Sequence, residues 1–182
     1  MPLLNSISTP YAEALLQVAD QREVTDLVAQ QAKDLLVIWH SSPELRAAFA
    51  SPVLEPDAKK AALVSLFEKD VNPTFMTLLK VLADRKRIAL LDSVLERFLV
   101  LYREQRGIAL ARVTSASPLS EQQQQALHTK VQAVAGTDKV EFDLHIDPAL
   151  IGGFVVSVGS QVIDASLAGQ VRRLGLALAK AG

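Results

Sequence analysis

The change of period at Gly107 constrains this chain more than any other feature. Before it, apolar residues recur at helical spacing almost without a break. After it, short runs alternate or thicken into β-branched stretches bounded by glycine. The two periods present side chains in different ways and call for different layers. The chain therefore reads as a helical unit over residues 1–105 and a smaller mixed unit over 106–182.

Six helices are expected in the first unit. Tyr11, Ala14, Leu15, Val18 and Ala19 make one face, with Thr9 as cap and Pro10 at the first helical position. Val24, Leu27, Val28, Ala32, Leu35 and Trp39 stripe a second helix, and Trp39 reads as a packing residue. Ser42-Pro43-Glu44 opens a third with Leu45, Ala48 and Phe49, and Ser51-Pro52 closes it. Pro56 opens a fourth carrying Ala62, Leu63, Leu66 and Phe67. Asn72-Pro73 starts a fifth with Phe75, Leu78, Leu79, Leu82 and Ala83. Ile88, Leu91, Leu95, Phe98, Leu99 and Tyr102 mark the sixth. Short connections between them imply an antiparallel bundle. Hydrophobic residues are 49% but aromatics only 5%, so its core is aliphatic.

The second unit opens with a strand over 108–114, then a helix from Ser120-Glu121 with Ala126, Leu127, Val131 and Val134, ending at Gly136. Val140, Phe142, Leu144 and Ile146 alternate with Glu141, Asp143 and His145, the pattern of a half-buried strand. Residues 154–158 read as a more buried strand, and Gly159-Ser160 as a two-residue hairpin turn. Leu167, Val171, Leu174 and Leu178 stripe a terminal helix. The expected fold class is mainly α: a six-helix bundle followed by a small α+β domain with a short sheet and two helices.

Little in the sequence resembles catalytic machinery. There is no cysteine, which removes disulfides, thiolate metal sites and cysteine nucleophiles. His40, His128 and His145 are scattered, so no metal site is expected. Gly152-Gly153 precedes a strand and lacks the surroundings of a phosphate loop. Asp164 has no partner acid and reads as the cap of the last helix, accepting from the amide of Ser166 or Leu167. The basic runs at 85–87 and 172–173 are local, and the net charge of −1 gives no broad field for nucleic acid. No uninterrupted apolar run approaches the ~18 residues of a membrane span. The start, MPLLNSISTPYAEAL, has neither a secretory signal's basic head and apolar stretch nor an Arg-rich transit character. No cofactor is expected.

The stretch LIGGFVVSVGSQVIDASLAGQVRRL over 150–174, with Gly152, Gly153, Gly159, Asp164, Ser166 and Leu174, resembles the C-terminal motif of the F-type ATP synthase δ subunits. The mitochondrial counterpart of that family is the oligomycin-sensitivity-conferring protein. Tyr11-Ala12-x-Ala14-Leu15 resembles the family's first-helix motif, and the order of elements is similar along the whole chain. The resemblance implies a non-catalytic peripheral-stalk subunit, monomeric when isolated, touching a membrane only through its complex. That membrane would be a cyanobacterial thylakoid or a bacterial inner membrane, with the subunit on its cytoplasmic face.

It also implies two partners. The N-terminal helix of a head α subunit would lie between the first and fifth helices, against Tyr11, Ala14, Val18, Met76, Leu79 and Lys80. Stalk b-type subunits would meet the C-terminal unit at the hairpin around Gly159 and at Val171, Leu174 and Leu178. A small helical RNA-associated or adaptor protein is the alternative that composition leaves open.

Overall fold

The computed structural model describes the backbone over residues 2–181 and the side chains of 6–173 and of Ala179. The chain divides into two compact units, 1–104 and 105–182.

The first unit is built from α1 (Pro2–Gln21), α2 (Thr25–Ser41), α3 (Pro43–Ala50), α4 (Pro56–Phe67), α5 (Pro73–Asp84) and α6 (Leu91–Arg106), with a 3₁₀ turn over Ile88–Leu90 leading into α6. Proline opens α3, α4 and α5, as it does α1, at the point where the first turn has no amide partner to lose. The Ser42 hydroxyl accepts from the Leu45 amide, and the Asn72 side chain accepts from the Thr74 amide at 2.9 Å. Gln31 of α2 secures the α4–α5 turn from outside, donating to the Asp70 carbonyl and accepting from the Asn72 amide. Lys60 of α4 bridges Asp57 and Asp84 at 2.8 and 2.7 Å. Those two carboxylates hold its ammonium pKa above the ordinary lysine value.

The core is aliphatic with a few rings. Phe75, Leu79, Leu82 and Ala83 of α5 and Val94, Leu95 and Phe98 of α6 have no solvent exposure. Trp39 is buried with its ring 6.1 Å from that of Phe49, a packing residue as its stripe implied. Four expected core positions, Leu27, Ala48, Ala62 and Leu66, are exposed instead. On α4 the buried face is Lys59, Leu63 and Phe67, turned away from Ala62 and Leu66.

The expected start at Thr9-Pro10 is also corrected: α1 runs through Pro10 from Pro2. A proline inside a helix forfeits one backbone hydrogen bond and crowds the preceding turn. Burial of Ser8 against the bundle keeps that turn in place here.

The second unit holds β1 (Ala109–Ser115), α7 (Glu121–Ala135), β2 (Val140–Ile146), β3 (Phe154–Val158), β4 (Gln161–Asp164) and α8 (Leu167–Ala181). The sheet order is β2-β1-β3-β4. β1 and β2 are parallel, so the chain must cross over between them, and α7 is that crossover. It is framed by a capping box between Ser120 and Gln123 and by left-handed Gly136 at its end. Leu127 and Val131 of α7 pack on Ala111 and Val113 of β1 and Val156 and Val158 of β3. β3 and β4 form the expected hairpin, with positive φ at Gly159 and not at Ser160, the pattern of a type II′ turn.

Candidate functional site

α1 and α5 leave a groove between them. Its walls are Tyr11, Ala14, Leu15 and Val18 from α1, Arg22 from the turn just after it, and Thr74, Thr77, Leu78 and Val81 from α5, around a cavity of about 180 Å³. On α1 the groove positions recur at i, i+3, i+4 and i+7, a stripe along one side of the helix. The single face read from the sequence is in fact two adjoining seams. Ala12, Leu15 and Ala19 turn into the core, whereas Ala14 and Val18 line the groove, and Leu15 and Tyr11 serve both. Val18 and Val81 are 37% and 39% exposed, high for β-branched side chains in the middle of a bundle helix.

α5 departs from expectation. Met76 and Leu79, read as groove-lining, are 5% and 0% exposed and belong to the bundle core. Lys80 is half-buried and is not among the lining residues. The reason is angular: α5 is apolar over most of its circumference, and the side facing α1 carries Thr74, Thr77, Leu78 and Val81. The ends of the groove are polar. The Arg22 guanidinium donates to the Thr74 hydroxyl at 3.1 Å. At the other end Arg87 donates to the Tyr11 hydroxyl at 2.8 Å, with its guanidinium carbon 5.8 Å from the ring centre.

The glycine and aspartate positions of the C-terminal motif form a clasp between the sheet and the start of α8. The Gly152 carbonyl accepts from the Leu167 amide at 2.9 Å, the Gly153 carbonyl from Ala116, and the Phe154 carbonyl from Ala165. Gly153 has φ +81, and an added Cβ would overlap the Ala165 carbonyl and come within 2.9 Å of Ser166 Cα. A Cβ on Gly152 would meet only the Leu167 side chain, at 2.7 Å.

The capping role assigned to Asp164 is shared differently. Ser166 is the cap: its Oγ accepts from the Gly169 amide at 3.0 Å. The Asp164 carboxylate accepts from the Ser166 hydroxyl at 2.6 Å and from its amide at 2.9 Å, and so aims the cap. Ser166 is two residues nearer the helix, which puts its hydroxyl in range of the third helical amide. Gly169 was not foreseen; a Cβ there would run into the Asp164 carboxylate. Its signal in the sequence was a glycine inside a helical stripe, which asks for a packing reason.

Arg172 reaches Asp164 Oδ2 at 3.4 Å and Arg173 donates to the Asp164 carbonyl at 2.9 Å. The hydrogen bonds from Ser166, helped by the two arginines, hold the Asp164 carboxyl below the ordinary carboxylate value of 3.8. A folded-state pKa below the unfolded one gives stability that is present above the unfolded value and lost as pH falls through the folded one. Acid titration below pH 3.8 is therefore expected to loosen the start of α8. Asp164→Asn, which keeps the acceptor oxygen, should flatten that acid limb in a pH series of amide exchange at Ser166 and Gly169.

Of the residues assigned to the stalk, Val171 is 69% exposed. Leu174 and Leu178 lie outside the residues whose side chains are described. A cleft that the sequence did not suggest opens between α7 and β2, about 680 Å³ and lined by Leu127, His128, Phe142 and Leu144 among others. Leu144 and Ile146 are exposed because β2 is an edge strand and its far end runs past the cover of α7.

Comparison with known proteins fits this architecture. The family model described as ATP synthase delta (OSCP) subunit matches residues 7–178. The chain belongs to the ATP synthase delta (OSCP) family. A delta subunit of Prochlorococcus marinus (strain MIT 9303) is 69% identical over 180 residues, covering 99% of each chain. One from Synechococcus sp. (strain CC9902) is 67% identical over the full length of both. A chain of the mitochondrial ATP synthase hexamer of Toxoplasma gondii superposes with a TM-score of 0.73 at 27% identity, covering 94% of this chain and 96% of that one.

As a delta-family member the chain is a structural, non-catalytic subunit of an F-type ATP synthase. Among the described residues no helix is long and apolar enough to cross a membrane, and no cluster of His, Asp and Glu could hold a metal ion.

Proposed function

We propose that this chain is the stator connector that ties the catalytic head of an F-type ATP synthase to its peripheral stalk. In this reading the helical unit receives the N-terminal helix of a head α subunit in the α1–α5 groove. The C-terminal unit holds b-type stalk subunits through the hairpin around Gly159 and the exposed face of α8. The complex would work on an energy-transducing membrane, a cyanobacterial thylakoid or bacterial inner membrane, with this subunit on the cytoplasmic face. Keeping the head from turning with the rotor couples proton transport to ATP synthesis, and needs rigidity and two anchorages rather than chemistry.

The observation that carries the proposal is the groove. Tyr11, Ala14, Val18 and Val81 present apolar surface that no element of the bundle covers. An amphipathic helix with anchors at i, i+3, i+4 and i+7 is the complementary shape. Ala14 gives such a helix a close approach at the centre. Three or four aliphatic anchors at ~1.5–3 kcal/mol each would contribute a gross ~5–10 kcal/mol, before ordering costs. A second anchorage on the same chain raises the effective concentration of the first, which suits a part under torque.

Titration of the full chain with a peptide of the cognate α-subunit N-terminus should shift amides of α1 and α5 and leave those of α7 unmoved. An absence of shifts on α1 and α5 would remove the groove assignment. Returning the chain to depleted membranes should restore proton-coupled ATP synthesis; unchanged coupling would count against the stator role.

A further inference from the structure

The groove has a feature that apolar docking alone does not use: an arginine stands at each end. Arg22 is the one charged side chain among its lining residues. Arg87, bound to the hydroxyl of Tyr11, stands at the opposite end beside Arg85 and Lys86, all three exposed. Arg22, just past the last helical residue, is eleven positions beyond Tyr11, a helical rise of about 16 Å, or three turns, at 1.5 Å per residue.

Both guanidiniums rest on neutral oxygens, a threonine hydroxyl for Arg22 and a phenol for Arg87. A carboxylate is a stronger partner for a guanidinium, because the bond is charge-assisted and can be made twice in parallel. Acids close in sequence to these arginines are directed elsewhere. Asp20 accepts from the Thr25 hydroxyl and Asp26 from Tyr102, and Asp84 pairs with Lys60. Glu23 follows Arg22 in the same turn, where its backbone is left-handed (φ 55) and the residue is exposed. The groove thus has an apolar centre between basic ends.

From this we propose that the groove selects an amphipathic helix carrying an acidic residue at each end of a three-turn apolar stripe. One carboxylate displaces Thr74 from Arg22, and the other takes the outer face of the Arg87 guanidinium. The inference rests on the groove being a helix-docking site. It adds what fixes the register of the incoming helix: an apolar stripe alone tolerates a shift of one turn, whereas a charge at each end of a groove about three turns long does not.

The test uses the full chain and a peptide of the cognate α-subunit N-terminus, with each acidic residue changed in turn to its amide. Arg22→Gln and Arg87→Gln should each weaken binding about fivefold, the upper range for a partly exposed ion pair. The wild-type affinity should fall as salt is raised. Each arginine should couple to a different carboxylate in double-mutant cycles, and Arg22→Glu should be rescued by a peptide with the matching acid changed to arginine. Thermal unfolding of each variant checks that the bundle is intact.

Peptide binding that ignores both arginines and salt would overturn the inference while leaving the groove in place. So would an α-subunit segment with no pair of acids about three turns apart. Failure of the wild-type chain to bind the peptide at all would strike the docking reading itself.

Discussion

Gly153→Ala is expected to destabilise the C-terminal unit by about 2–5 kcal/mol, a large fraction of what a unit of this size has. Two costs add. The left-handed φ of +81 is strained for any L side chain, by roughly 1–2 kcal/mol. The new Cβ also meets the Ala165 carbonyl and Ser166 Cα, which are backbone and cannot swing aside. Relief would pull Ala165 away from Phe154 and Leu167 away from Gly152, so the start of α8 would part from the sheet. Amide exchange on the full chain should show faster opening of β3, β4 and α8, with α5 and α6 unchanged. Two controls bracket the effect. Gly136→Asn, with no heavy atom within 4 Å of the added carbon and a left-handed cap that asparagine tolerates, should cost under about 1 kcal/mol. Gly152→Ala should fall between, because the Leu167 side chain can rotate away. Equal effects at Gly136 and Gly153 would show that the clasp does not hold the unit together.

Many turns and caps were legible in the sequence because they are local. Gly159-Ser160 between two apolar runs, Ser120 before Glu121, and Asn72 before Pro73 each act over a few residues, and each formed as its chemistry requires. The cap of α8 was misassigned by two positions for a reason of the same kind. Asp164 and Ser166 both suit a cap, and only the geometry of the Ser166–Gly169 hydrogen bond decides between them. That β1 and β2 are parallel was not legible. A strand, helix and strand allow several pairings, and the order β2-β1-β3-β4 depends on contacts between distant residues.

The groove shows where periodicity stops informing. A stripe at i, i+3, i+4 and i+7 says that a helix side is apolar but not what covers it. On α1 the stripe splits between core and groove, and on α5 the apolar arc is too wide to divide by counting. Met76 and Leu79 therefore read as well as Val81 for the groove until the positions of neighbouring helices were known. The arginine at each end was invisible for a different reason: Arg22 meets Thr74 across 52 positions and Arg87 meets Tyr11 across 76.

Leu79 and Ala14, both read from the sequence as docking residues, should separate cleanly under substitution. Leu79 has no solvent exposure, so Leu79→Ala leaves a cavity in the bundle and should cost about 2–5 kcal/mol of stability. Its effect on docking should follow stability alone, vanishing under conditions where the variant is fully folded. Ala14 is exposed at the middle of the groove wall. Ala14→Asp should cost the bundle only about 0.7 kcal/mol, the difference in helix propensity. A docked helix would then bury an unpaired carboxylate against apolar side chains, with Val18 rather than a basic residue one turn on. Binding of the α-subunit peptide should weaken at least about tenfold, or 1.4 kcal/mol. Denaturant unfolding and peptide titration on the same two proteins make the comparison. If Ala14→Asp bound normally while folded Leu79→Ala bound poorly, the helix would have to dock elsewhere, because the groove wall and the core would have exchanged roles.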